Sequence, residues 1–155
     1  QAYWAIGAAR TSGDLLMVLL NFAHSLAEED LSAIAALAGR PPKNVVHVAP
    51  EFVGSLPLVP QVRKMVDTVG FSQKDWQNTS LLVCLPLDSA AAAIFVAEIA
   101  GRHGRTPTIV RFVQDAQKGR LVPFEIISLH QVRKETNQSQ KGWLPSAGSH
   151  GGGSD

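Results

Sequence analysis

The chain has 155 residues, a formal net charge of +1 at pH 7, 17% charged residues and 45% hydrophobic ones. That length and apolar content support one domain with a buried core and exclude wholesale disorder. The near-neutral balance argues against a protein that coats long DNA or RNA, which needs many clustered cations, and leaves room for a small ligand carrying a few phosphates. The single cysteine, Cys84, forbids an intrachain disulfide and a Cys-rich metal site, so a reducing cytoplasm is the expected compartment. No stretch reaches the roughly 18 uninterrupted apolar residues of a membrane helix, and no membrane partner is expected.

Residues 1–14 lack the charged-then-apolar grammar of a signal peptide and read as a flexible extension. Pro145 to His150, followed by a glycine run, reads as linker. The domain is therefore expected over residues 15–137, with 138–155 as a flexible tail. Leu15 to Leu20 is a continuous apolar run ending at Asn21, the pattern of a buried parallel strand. It leads into Ser25-Leu26-Ala27-Glu28, which fits a capping box. The helix that follows places Leu31, Ile34, Ala35 and Ala38 on one face and stops at Gly39. Val45 to Val48 reads as the second strand. A second helix is expected from about Pro60, with Val62, Met65, Val66 and Val69 at helical spacing and Gly70 as its stop.

Ser72 to Trp76 reads as one capped helical turn, and Leu81 to Leu85 as the third strand. Asp88 or Ser89 is placed to cap a third long helix, Ala90 to about Arg102, which ends at Gly104. Thr108 to Val113 and Val122 to Leu129 have no helix-length segment between them, which predicts an antiparallel hairpin. A last short helix is expected from His130 to about Asn137. This order implies an α/β domain: a Rossmann-like, doubly wound, mainly parallel sheet with an antiparallel C-terminal hairpin.

Ligands of such sheets bind outside the carboxyl ends of the strands. That rule selects Asn21 to Ser25, Pro50 to Leu58, Pro86 to Ser89 and Arg111 to Lys118. The first loop offers Asn21, His24 and Ser25 beside a helix N-terminus, an arrangement suited to an anion. Ser25 also reads as a helix cap, and His24 as a surface histidine. The alanines after Ser89 admit close approach of a ligand or simply pack on the sheet. Arg111, a cation in the outer half of an apolar strand, needs a carboxylate or a phosphate. Arg102, His103 and Arg105 fall after a helix C-terminus, at the other end of the sheet, and read as structural. There is no G-x-G-x-x-G, Walker loop, G-x-S-x-G or H-E-x-x-H, and the histidines lack metal-ligand spacing, so no cofactor and no metal are expected.

The run Met17-Val18-Leu19-Leu20-Asn21-Phe22-Ala23-His24-Ser25-Leu26 resembles the opening of a small stand-alone CRISPR-associated family of the Csx-fifteen type. The similarity continues through Pro60 to Arg63, Val66 to Ser72, Trp76-Gln77, Leu81 to Val83 and Glu98 to Gly104, covering about Met17 to Lys134. Ala23 stands where the family pattern has serine, and Cys84-Leu85 is less polar than that pattern. The resemblance implies a fold related to CARF domains, the cyclic oligoadenylate sensors of type III CRISPR antiviral defence. It also implies cyclic tetra-adenylate as ligand, bound across a homodimer, with or without further stacking. The ligand-binding residues expected on this reading are Asn21, Phe22, His24, Ser25, Pro86, Asp88, Ser89 and Arg111. Sequestration of the messenger is the first functional expectation. A metal-independent ring nuclease, with His24 as its catalytic acid or base, is the second. An interaction module without a nucleotide ligand is the third.

Overall fold

The structure, a computed structural model, describes residues 16–142; the expectations for the two chain ends lie largely outside the described residues. Its central strand is β1 (Met17–Asn21), buried at every position. A strand desolvated on both faces must place its backbone N–H and C=O groups on neighbours. Those neighbours are β2 (Asn44–His47) on one side and β3 (Ser80–Cys84) on the other, both parallel to it. β4 (Thr108–Asp115) adds parallel to β3, and β5 (Arg120–Ser128) adds antiparallel to β4. The sheet order is therefore β2-β1-β3-β4-β5.

Alternation along β1 divides the core into two layers. Met17 and Leu19 join Ile34, Leu82, Cys84 and Val110 beneath α1 (Glu28–Ala38). Val18 and Leu20 join Val62, Val66, Trp76 and Phe95 beneath α2 (Leu58–Asp67), α3 (Gln73–Asn78) and α4 (Ser89–His103). α5 (Leu129–Gly142) leaves the sheet without burying a residue. Helices on both faces of a mostly parallel sheet make this a Rossmann-like α/β fold, with the expected antiparallel hairpin at its edge.

Three local readings are corrected. Helix α1 begins at Glu28, after Ala27, so Ser25 is not its cap; instead the Asp30 carboxylate accepts the Ala27 N–H at 2.9 Å. The first strand spans Met17–Asn21, one residue past the expected end at Leu20, because Asn21 is itself paired in the ladder with His47 and Cys84; Leu15, the expected start of the apolar run, lies outside the described residues. The last helix runs to Gly142, past the expected end at Asn137, so the tail expected from 138 begins inside it. Its hydrogen bonds explain the miss. Gln131 Nε2 donates to Glu135 Oε1 at 2.8 Å and Thr136 Oγ1 to the Val132 carbonyl at 3.0 Å, bonds that leave no apolar period to read.

The hairpin is also longer than its apolar run. Asp115 Oδ1 accepts the N–H groups of Gln117 and Lys118 at 2.9 and 3.0 Å, and Gly119 takes φ +65°, which closes the turn tightly. β4 pairs with β3 only as far as Val110, so the rest of the hairpin stands beyond the end of β3. Position in the core predicts a clear stability effect. Phe95 is fully buried with its ring 4.4 Å from that of Phe22, so Phe95→Ala should cost about 3–5 kcal/mol, read as a lower urea midpoint with unchanged slope.

Candidate functional site at the carboxyl edge

The chain leaves β1 for β2 on one side and β3 for β4 on the other, through helices on opposite faces. Between β1 and β3 the strand order reverses, which opens the crevice where such sheets take ligands. Asn21 shapes the first wall. Only 1% exposed, it must satisfy its amide internally. Oδ1 accepts the Ala23 N–H at 2.9 Å, which fixes the orientation of the amide. Nδ2 then donates to the His24 carbonyl at 2.9 Å and to His47 Nδ1 at 2.9 Å, so the Nδ1 lone pair of His47 accepts. Asn21 therefore organises the loop with its own side chain fully engaged.

Phe22 turns into the core against Phe95, while its N–H donates to the Cys84 carbonyl at 2.9 Å. That bond ties the first loop to the end of β3. His24 and Ser25 are exposed, and the His24 ring meets the Phe112 ring edge-on at 5.0 Å. In the neighbouring loop Pro86 is buried, and Asp88 Oδ1 caps α4 by accepting the Ala91 N–H at 2.8 Å. The Ala92 N–H goes to the Asp88 carbonyl, leaving the amides of Ser89 and Ala90 at the exposed N-terminus without an intrahelical acceptor. His24, Ser25, Asp88 and Ser89 thus sit on adjacent loops.

Arg111 lies on the sheet face opposite His24 and α1, the face that α4 covers. Phe112 packs beneath α1, so the preceding Arg111 points to the opposite face of β4, where it pairs with Glu125 at 3.2 Å and lies 5.6 Å from the Phe124 ring centroid. The expectation that α1 presents an anion-binding N-terminus is corrected as well. Glu28, Glu29 and Asp30 occupy its first turn, and their charge occupies the positive end of the dipole. The N-terminus of α4 has no acidic residue in its first turn, only the Asp88 carboxylate that caps it.

Sequence reasoning missed the groups that join the hairpin to α1. Lys118 Nζ binds Glu29 Oε1 at 2.8 Å, and Arg120 reaches both Glu29 and Asp30, the latter at 2.8 Å. Burial pushes the Asp30 carboxyl up, but Arg120, the Ala27 N–H and His24 outweigh it and hold the group below the usual carboxylate range. The acidic triplet was visible, but its basic partners lie some 90 residues later. Gln61 was missed too. Its Oε1 accepts the Val53 N–H at 2.8 Å, and its Nε2 donates to the carbonyls of Val53, Leu56 and Pro57, which pins the loop after β2. Gln61 and Lys64 line a cavity of about 410 Å³ under that loop.

Cys84 closes β3 in full burial, which pushes its thiol up to about 12 and removes it as a nucleophile. Among the described residues no cluster of His, Cys, Asp and Glu has metal-binding geometry, and no helix is long and apolar enough to cross a membrane. The fold is that of a Rossmann-like α/β domain. Comparisons with protein-family models, curated proteins and solved structures find no match.

The Asp30–Arg120 contact yields a pH test. A carboxyl whose folded pKa is depressed contributes stability above its unfolded value, near 4, and loses that contribution as pH falls through the folded value. Asp30→Asn should therefore destabilise the protein by about 2 kcal/mol at neutral pH. The gap in urea midpoints from the parent protein should narrow as pH falls below about 4 and close only below the depressed folded value of Asp30.

Proposed function

We propose that this protein binds cyclic tetra-adenylate at the carboxyl edge of its sheet and sequesters it, damping the signal to effector nucleases in type III CRISPR defence. The observation that carries a phosphate ligand is the N-terminus of α4 at the switch point. Its Ser89 and Ala90 amides are available, and its first turn holds no carboxylate beyond the capping Asp88. The ligand's identity rests on the resemblance of Met17 to Leu26, and of the segments after it, to the Csx-fifteen type of CARF-related protein. A ring with four phosphates exceeds what one α4 N-terminus and one His24 neutralise. Two copies related by a two-fold axis match the symmetry of such a ring.

Turnover is the second reading, favoured by the exposure of His24 at the same edge. The ligand's 2′-hydroxyl would attack the adjacent phosphorus and form a cyclic phosphate as the 5′-oxygen leaves. His24 would take the hydroxyl proton or supply the one needed by the leaving oxygen. Asp30, near His24, is committed to Arg120 and the Ala27 N–H and is not spare as a partner for that histidine. Binding without cleavage is accordingly the main proposal.

Radiolabelled cyclic tetra-adenylate, run with the pure protein on native gels and then on denaturing chromatography, separates the readings. A retarded and intact ring is the expected result. Linear products that disappear in His24→Ala would replace sequestration with catalysis, and no retardation would leave an interaction module. Ser89→Glu tests the site itself. It should preserve the fold, since an acidic residue suits a helix N-terminus, yet weaken ligand retention about tenfold or more by opposing the phosphates. Unchanged retention would remove α4 from the site.

A further inference from the structure

The opposite end of the sheet holds a second polar site. A cavity of about 230 Å³ opens at the amino edge, lined by His103, Arg105, Thr106, Thr108, Ser128 and His130 among others. Among the described residues no carboxylate lines it. We propose that this cavity is an oxyanion site that takes inorganic phosphate or a small phosphate monoester, distinct from the carboxyl-edge site above.

Charge balance distinguishes this cavity from the other basic surfaces. In the groove between α2 and α4, Glu98 pairs with Arg63 and Arg102, and Asp67 also binds Arg102. Those cations are neutralised. Among the described residues, Arg105 has no carboxylate partner: its Nε donates to His103 Nε2 at 3.3 Å. His103 in turn holds its Nδ1 2.5 Å from the Trp76 carbonyl, which places the proton on Nδ1 and leaves Nε2 as the acceptor for Arg105. The imidazole thus orients the guanidinium and leaves its terminal N–H groups for a ligand. Arg40, likewise without a carboxylate partner among the described residues, reaches Ser80 Oγ on the cavity wall at 3.5 Å.

One of the wall hydroxyls points to the same ligand chemistry. Thr106 Oγ1 is enclosed in the cavity wall and makes no hydrogen bond, which costs stability but does not itself meet a ligand. Ser128 Oγ accepts the Gln131 N–H at 3.1 Å, which keeps its own hydrogen free to donate. That bond caps α5, whose first turn carries His130, so the positive end of a long helix borders the cavity. Donors and positive charge converge with no fixed acceptor to receive them, which suits a tetrahedral oxyanion. The volume is below the roughly 300–1,000 Å³ of pockets for drug-sized ligands and limits the occupant to a phosphate with a small appendage.

The test is an amide NMR titration of the full chain with inorganic phosphate, against sodium chloride at matched ionic strength, repeated with glycerol 3-phosphate. Saturable shifts at His103, Arg105, Thr106 and His130 are expected with phosphate and not with chloride. Tighter binding of glycerol 3-phosphate would assign the site to a monoester, and tighter binding of phosphate to the free ion. Arg105→Gln should raise the dissociation constant about tenfold, whereas Arg63→Gln, outside the cavity, should leave it unchanged. Ser128→Ala supplies a second check that does not depend on a charged residue: it removes the cavity-wall hydroxyl that keeps a hydrogen to donate and should weaken phosphate binding. Shifts that do not saturate, or an affinity untouched by both Arg105→Gln and Ser128→Ala, would overturn the proposal. Neither result bears on cyclic tetra-adenylate retention, which is read at the other edge with a different ligand.

Discussion

Complete desolvation of β1 is the constraint from which the remaining structure follows. Five consecutive side chains lie in the core, so the strand needs a helix layer on each face and a parallel neighbour on each side. Parallel neighbours demand crossovers, and the crossovers place α1 beneath one face and α2 to α4 above the other. Such connections bring the chain back to the amino end of every parallel strand. The loops after β1 and β3 are thereby left together at the carboxyl edge.

The same constraint explains why the last residue of β1 is a polar side chain with a structural task. Asn21 stands where the strand leaves the core yet remains almost fully buried, and each of its amide atoms finds a partner in the first loop or on β2. Its bonds shape the loop that exposes His24. Phe22 continues the core one step further and secures the loop to β3. The side chains that build the edge are therefore different from those available to a ligand. Asn21, Phe22 and Pro86 belong to the first set, and His24, Ser25 and Ser89 to the second.

Pairing of charges divides the surface in a comparable way. Lys118 and Arg120 answer the acidic first turn of α1 and dock the hairpin onto it, Arg111 is held by Glu125, and Arg102 links α4 to Asp67 on α2. Apart from the Asp30–Arg120 pair, whose carboxylate is buried, charge pairs this exposed add modestly to stability, yet each reduces the cation's capacity for an anion. Two places keep donors for a ligand: the amides at the start of α4 at one end of the sheet, and Arg105 with the Ser128 hydroxyl at the other.

The order of strands and helices was legible in the chain because burial imposes a period. Leu31 and Ile34, or Val62, Met65, Val66 and Val69, disclose their helices through spacing, while Gly39 and Gly104 mark stops where φ reaches +76° and +89°. The antiparallel hairpin was legible from the absence of a crossover segment. Residues selected by spatial partners left no such trace. The Ala27–Asp30 cap displaced Ser25, the polar helix α5 ran beyond any apolar pattern, and Asp30 met Arg120 across some 90 residues. The same holds for the site. The sequence by itself determined which loops gather at the carboxyl edge, because strand polarity follows from connectivity. Only the tertiary structure decided that Asn21 is engaged internally, that Arg111 faces away from His24, and that Arg105 lines a cavity, because those outcomes depend on which long-range neighbours compete for each polar group.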